Sequence, residues 1–222
     1  MSNLRKGTYG NYYGSYFGES APLSSEQLEV NALYIYSALI DAGWTVEAIC
    51  GVLGNMENES HINPGRWQSE AIGDTSAGYG LVQWTPATRH ISWCEERGLD
   101  PSAMDSNLNH LKWEVNDGDD YYSTDSYPLS YEEFTQSTEA PYYLACAFAW
   151  NYERSATVLW GTEAEKEELR QIRGGDAEKW YTFLTGQEPT PPDPGGGESG
   201  GGSTATKKRT GYKFVLFGRR YI

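Results

Sequence analysis

Two acidic residues and a glycine-rich turn fall within one short window of this 222-residue chain. Glu59-Ser60 ends a stretch of helical apolar periodicity. Asp74 follows Gly73, and the run Gly78-Tyr79-Gly80-Leu81-Val82-Gln83 comes a few residues later. Cleaving a sugar–sugar bond needs a protonated carboxylic acid on the leaving oxygen, and usually a second carboxylate to direct water or stabilise positive charge, both beside a groove. This spacing points to that chemistry.

The element that must carry the acid can be read from its own residues. Gly43 stops a preceding helix and Thr45 is placed to cap the next one. Val46, Ile49, Cys50, Leu53 and Met56 then recur at three- and four-residue spacing, which puts them on one buried face. Glu59 follows Met56 by three and emerges at the flank of that stripe, where Asn63-Pro64-Gly65 forces the chain out of the helix. A carboxyl there is expected to be partly desolvated, which favours its protonated form, as a general acid requires. Glu57, four after Leu53, points more squarely at the apolar stripe, so the helical pattern leaves both glutamates open.

The segments NMENESHINPG and GDTSAGYGLVQWTPAT resemble the lysozyme superfamily, in which a helix-ending Glu-Ser precedes a short hairpin carrying a Gly-aromatic-Gly-Leu-X-Gln element. The resemblance implies that the glutamate before the serine, Glu59, is the acid. Gly73-Asp74 resembles the goose-type lysozymes, which implies that Asp74 positions the attacking water, and QWTPAT is similar to soluble lytic transglycosylases. Gly78 stands where hen-type enzymes carry an aspartate, so a hen-type nucleophile is absent. The fullest resemblance is to the lysozyme domain of phage tail proteins, running colinearly over about residues 26 to 160 from QLEVNALYIYSALIDAGWTVEAICGVLGNMENES to AFAWNYERS. It implies a mainly α, lysozyme-like α+β fold with a short β-hairpin beside the active-site helix. It also implies peptidoglycan glycan strands as substrate, cut at the β-1,4 bond.

Ser60, Tyr79, Gln83 and Trp84 are the candidate substrate contacts. Against them stands the ordinary reading of a buried amide and packed rings on a hairpin strand; Asp74 has its own, a turn aspartate bonding its own backbone. Trp67 and Trp84 are the tryptophans expected nearest the groove. Alternatives are a lytic transglycosylase of the same fold, which needs only the glutamate, an endolysin for host lysis, or a catalytically idle wall-binding or structural tail module.

Composition narrows the classes further. The chain carries 17 basic and 31 acidic residues, and six of the basic ones lie beyond residue 206, so the rest is strongly acidic. Phosphate binding depends on clustered Lys and Arg, so no nucleic-acid partner is expected. Cys50, Cys94 and Cys146 are an odd number with no CxxC pair, and His61, His90 and His110 show no ligand spacing; buried thiols, no metal and no cofactor are expected. The start MSNLRKGTYGNYYGSYFG has no apolar core like that of a signal peptide, and no run is long enough to cross a bilayer. A chain made in the host cytoplasm but acting on the wall from outside fits a virion component, at the tail tip.

Four regions are expected. Residues 1–23 read as a flexible Gly/Tyr-rich segment, and 24–186 as the catalytic domain. Residues 187–206 read as a Pro/Gly/Ser linker, and 207–222 as a basic-apolar element that docks on other phage tail proteins. Within the domain, Ser24 with Gln27 and Ser130 with Glu133 read as capping boxes, and Thr85-Pro86 opens a helix to Gly98. Leu108, Leu111 and Val115 mark another helix, followed by an acidic, tyrosine-rich loop from Asn116 to Ser130 that borders the cleft. Leu144, Phe148 and Tyr152 form a buried stripe ending in Glu153-Arg154, read as a structural ion pair. Helices over Thr162–Arg173 and Asp176–Leu184 close the domain.

Overall fold

Capping side chains start helices where the sequence places them at Ser24, Thr45 and Ser130, whereas the helix expected from Thr85-Pro86 to Gly98 runs only from Thr88 to Glu95 and has no side-chain cap. In the computed structural model, which describes residues 3–69, 71–117 and 120–189, α1 spans Ser25–Asp41 behind a reciprocal box in which Ser24 caps Gln27 and Gln27 returns to Ser24. Helix α2 spans Val46–Ser60, with the Thr45 hydroxyl accepting from the Ala48 N–H at 3.2 Å. Then follow α3 (Thr88–Glu95), α4 (Met104–Asp117), α5 (Tyr131–Gln136, with the expected Ser130/Glu133 box) and α6 (Pro141–Phe148). A π-helical turn over Ala149–Glu153 leads to α7 (Ala156–Trp160) and α8 (Glu163–Thr185). The linker beyond residue 189 and the docking element 207–222 lie outside the described residues.

Helix α2 is the centre of the molecule. Every residue from Ala48 to Met56 is buried, with α6 and α8 packed along it and α1 beside it. Two glycines set how closely they approach. A Cβ at Gly51 would meet the Leu144 backbone at 2.9 Å, and one at Gly54 would meet the Arg173 carbonyl at 2.5 Å and the Ala177 nitrogen at 2.8 Å. Polar straps reinforce the α8 contact: Arg173 donates to the Asn55 carbonyl at 2.7 Å and Asn58 donates to Asp176 at 2.7 Å. Helix α8 is continuous where two helices are expected. Gly174 and Gly175, the residues between the two expected helices, lie inside it; Gly174 sits under the Tyr142 ring, and packing overrides its low helix propensity.

The fold is mainly α with one short antiparallel hairpin, in agreement with the expected class, but the paired strands come from an unexpected place. Residues expected as a flexible segment form β1 (Asn3–Gly7) and β2 (Gly10–Gly14), in register from Asn3↔Gly14 to Gly7↔Gly10. Buried amides fasten this hairpin to the body. Asn31 on α1 exchanges bonds with the Tyr13 backbone at 2.7 and 2.8 Å, and Asn63 accepts from the Ser15 N–H at 3.0 Å. Arg5 reaches Asp100 at 2.6 Å and the Ser102 carbonyl at 2.7 Å. The Gly-Tyr-Gly element makes only isolated bridges, Tyr79 pairing with Trp67 and with Trp84. No helix among the described residues is long and apolar enough to cross a membrane.

The glycine contacts generate a pair of opposite effects. Gly54→Ala pushes a methyl into α8 backbone, and overpacking of this kind costs about 1–3 kcal/mol. Gly175→Ala meets nothing within 4 Å and gains about 1 kcal/mol of helix propensity. Denaturant unfolding should separate the two variants on either side of the parent; a Gly54→Ala protein as stable as the parent contradicts the close contact.

Candidate active site

The last turn of α2 is locked to the glycine-rich element beneath the site. Ser60 is fully buried and its hydroxyl donates to the Met56 carbonyl at 3.0 Å and the Leu81 carbonyl at 2.8 Å. Asn107 on α4 accepts from the Leu81 N–H at 2.9 Å. Gly80 has φ +86, and a Cβ there would meet Asn107 Oδ1 at 2.7 Å and the Trp84 ring at 2.9 Å, so the turn requires glycine. Gln83, at φ +50, donates from its amide to the Arg66 and Gly80 carbonyls at 3.0 and 2.9 Å. The chain leaves α2 through two left-handed residues, His61 and Ile62, both at φ +51.

Above this base run two cavities of about 500 and 310 Å³, which share the walls Gln83, Thr85 and Glu153. Glu59, His61 and Arg66 line the larger one; Trp84, Arg89 and Tyr122 line the other. Helix α2 separates the two glutamates that its pattern leaves open. Glu57 points to the outer face of α8, accepting from Lys179 at 2.5 Å and from the Trp180 indole at 2.8 Å. Glu59 faces the groove with its side chain 20% exposed and pairs with the buried Arg173 guanidinium at 2.5 Å.

The groove also holds a carboxyl that its sequence context conceals. Glu153 and Arg154, adjacent and opposite in charge, form no ion pair. Arg154 turns left-handed at φ +48 and lies over the Tyr122 ring, while Glu153 enters the wall shared by both cavities. The Glu153 Oε1 atom is shut from solvent with no hydrogen-bond partner, and so is Arg173 Nε. Burial first, and then the charge of Glu59, push the Glu153 carboxyl well above the ordinary glutamate range, with Arg173 opposing. The only signals in the sequence are a charge straight after a buried stripe and an arginine on the inner face of a helix.

The remaining candidates divide. Gln83 and Trp84 line the groove, and Trp67 lines its larger cavity. Ser60 and Tyr79 line neither and are fully buried; Tyr79 packs on Trp67, ring centroids 4.5 Å apart. Both support the groove floor from below, because a fully buried side chain has no face left for a ligand. Asp74 lies on an exposed turn outside both cavities. Its Oδ1 accepts from the Ser76 hydroxyl and N–H at 2.6 and 2.9 Å, and these bonds hold its carboxyl below the usual range. That geometry is the turn aspartate of the alternative reading. The described residues contain no cluster that could hold a metal, and Cys50, Cys94 and Cys146 are buried free thiols.

Trp84 stands on a buried polar stack. Its indole lies on His90 and His110, centroids 4.3 and 4.8 Å away, and its N–H donates to Glu114 at 3.1 Å. Tyr152 donates to the same carboxylate at 2.6 Å. His90 Nε2 faces the Pro101 carbonyl at 3.0 Å and must carry its proton there, so His110 Nδ1 donates to His90 Nδ1 across 3.0 Å. This leaves His90 neutral, and burial keeps His110 neutral as well, with its Nε2 3.7 Å from Glu114 Oε1. Burial pushes His90 down to about 4 and His110 down to about 3, and pushes Glu114 up to about 7.

These shifts set a pH dependence. The unfolded histidines bind protons below about pH 6.5, whereas the folded ones refuse them until about 4 and 3, so their contribution is full above 6.5 and lost as pH falls through the folded values. Glu114 acts oppositely: its contribution is present below the ordinary carboxylate value and lost as pH rises through about 7. Two histidines work against two carboxyls, Glu114 and Glu153, so the histidine share is read by difference: the loss of thermal midpoint caused by His110→Gln should shrink as pH falls from 6.5 to 4. A difference between parent and variant that holds or grows over that interval contradicts the neutral pair.

Comparison with known proteins places this arrangement. The family model described as phage tail lysozyme matches residues 30–184, which span α2, the glycine-rich element, Glu153 and Arg173. Morphogenesis protein 1 of Bacillus phage B103 is 42% identical over 175 residues, covering 79% of this chain and 45% of that protein. The chain thus spans less than half the length of this curated relative. With most of its length matched by the family model, the chain belongs to the phage tail lysozyme family.

Proposed function

We infer that the chain is a peptidoglycan glycosidase carried by the virion, cutting the β-1,4 glycan bond of the bacterial wall during phage entry with Glu59 as general acid. The observation that carries this reading is the position of Glu59: a partly shielded carboxyl at the end of the central helix, opening into a groove and held by a buried arginine. Membership of a phage lysozyme family supports the lysozyme-type chemistry and a virion component. Tail-tip location, and docking to other tail proteins through residues 207–222, remain finer parts of the same proposal.

In this reading a glycan strand lies along the groove over Gln83 and Trp84. Glu59 donates a proton to the glycosidic oxygen, the bond to the anomeric carbon breaks, and water adds to the positively charged sugar. Asp74 would hold that water on the opposite face. A second reading is favoured by one observation, that Asp74 stands outside both cavities with its Oδ1 taken by Ser76. A lytic transglycosylase needs no second carboxylate, because the sugar's own 6-hydroxyl attacks and closes an anhydro ring.

Two sets of variants test these statements. Glu59→Gln keeps the shape but has no transferable proton, and lysis of purified walls should fall by about 10²–10⁴-fold. Glu57→Gln should retain activity, since its partners lie on the outer face of α8. The reverse pattern would assign the acid to the other glutamate.

Asp74→Asn separates the two routes. If Asp74 positions water, the variant loses turnover and the parent releases reducing ends of inverted configuration, from carboxyl groups about 6.5–9.5 Å apart. Anhydro products with an unaffected variant, read by mass spectrometry of the released muropeptides, would favour the transglycosylase reading and leave Asp74 as a turn residue.

A further inference from the structure

We propose that Glu153 is the resting place of the proton that Glu59 delivers, and that Arg173 exchanges between the two carboxyls as the proton passes. The proposal rests on the glycosidase reading above and deepens it. Glu59 and Glu153 line the same cavity, one from the end of α2 and one from the π-helical turn, with Arg173 of α8 behind them. Arg173 spends Nη1 on the Asn55 carbonyl and Nη2 on Glu59, leaving Nε buried and unpartnered. Glu153 Oε1 is likewise buried and unpartnered. The residue is half-buried, but a carboxylate with one oxygen shut off from water and from any partner is costly, and the neutral acid far less so.

The charges around Glu153 favour the same distribution. Glu59 from α2 and Glu114 from α4 disfavour a second negative charge there, and only Arg173 opposes them. Tyr131 from α5 and Tyr152 from its own turn are neutral phenols held far above their usual range by burial. His61, Arg66 and Arg89 stand on other walls of the two cavities, and Asp120 pairs with Arg89. At rest the cluster holds one guanidinium, one carboxylate on Glu59 and one neutral acid on Glu153.

A Glu59 paired with arginine has no proton to give. In the proposed step the Glu153 O–H bond breaks and an O–H bond forms on Glu59, while the guanidinium moves its pairing to the new carboxylate on Glu153. Glu59 then gives the proton to the leaving glycosidic oxygen. The proton lost by the attacking water, or by the sugar hydroxyl in the second reading, returns to the pair. Glu153 acts through Glu59 and is a positioning residue for the proton, not itself a group that touches the sugar.

This exchange has a kinetic signature. Moving a proton from Glu153 to Glu59 changes no proton count, so the delivered fraction is independent of pH wherever Glu153 keeps its proton. In Glu153→Gln, which keeps size and neutrality, Glu59 must take its proton from solvent, and the rate falls as pH rises. The experiment measures wall-lysis rate against pH for the parent and Glu153→Gln, with unchanged circular dichroism as the folding control. Alongside it, the infrared band of a protonated carboxyl at neutral pH is compared between the two resting proteins.

A component of the band lost in Glu153→Gln while that of Glu114 remains, with a flat parent profile and a falling variant profile, is the expected result. Parallel profiles, or no difference in the band, overturn the proposal while leaving Glu59 as acid. A parent protein that cuts no glycan at any pH overturns both this proposal and the reading it rests on.

Discussion

The approach of α8 to α2 at Gly54 is the constraint from which the site follows. With no Cβ at that position, the Arg173 carbonyl comes close enough that the same residue's side chain can turn inward to the Asn55 carbonyl and Glu59. A guanidinium buried in this way needs its partners, since removing one member of a buried pair leaves an uncompensated charge and costs about 3–5 kcal/mol. Helix packing and groove electrostatics are therefore one problem. Asn58 with Asp176, and Glu57 with Lys179 and Trp180, strap the same two helices on the outer side, which gives Glu57 a structural partner set and leaves Glu59 as the glutamate of α2 that lines the groove.

The groove is built from segments far apart in the chain. Helix α2 brings Glu59, the glycine-rich turn brings Gln83 and Trp84, and the π-helical turn brings Glu153, with Arg173 behind from α8. A π-turn places one extra residue in a helical turn, and such turns recur at functional sites because they re-aim side chains. Here Tyr152 turns to Glu114 and Glu153 to the groove, while Arg154 at φ +48 leaves over Tyr122.

The features legible in the sequence are local ones. Ser24/Gln27, Thr45 and Ser130/Glu133 carry their caps within three residues, and the apolar stripe of α2 repeats at helical spacing, so these elements and the end of α2 could be read directly. The N-terminal hairpin could not, because Asn31, Asn63 and Asp100 hold it from distant positions and its strands show no apolar alternation. The two-glycine gap left between the expected helices closes only once the Tyr142 ring over Gly174 is known. Of the site, Glu59 and Gln83 could be named from motif context, whereas Glu153 hides behind an adjacent arginine that suggests a pairing the backbone does not allow. Ser60 and Tyr79 belong to the motif, but their burial gives them the floor of the groove.

The most direct test of this account is the structure of a Glu59→Gln protein with a peptidoglycan glycan fragment bound. The account predicts that the strand follows the groove past Gln83 and Trp84, with one glycosidic oxygen within hydrogen-bond reach, about 2.6–3.2 Å, of the side chain at position 59. A fragment bound on the outer face beside Glu57, Lys179 and Trp180, or with its glycosidic oxygens out of reach of position 59, would contradict it.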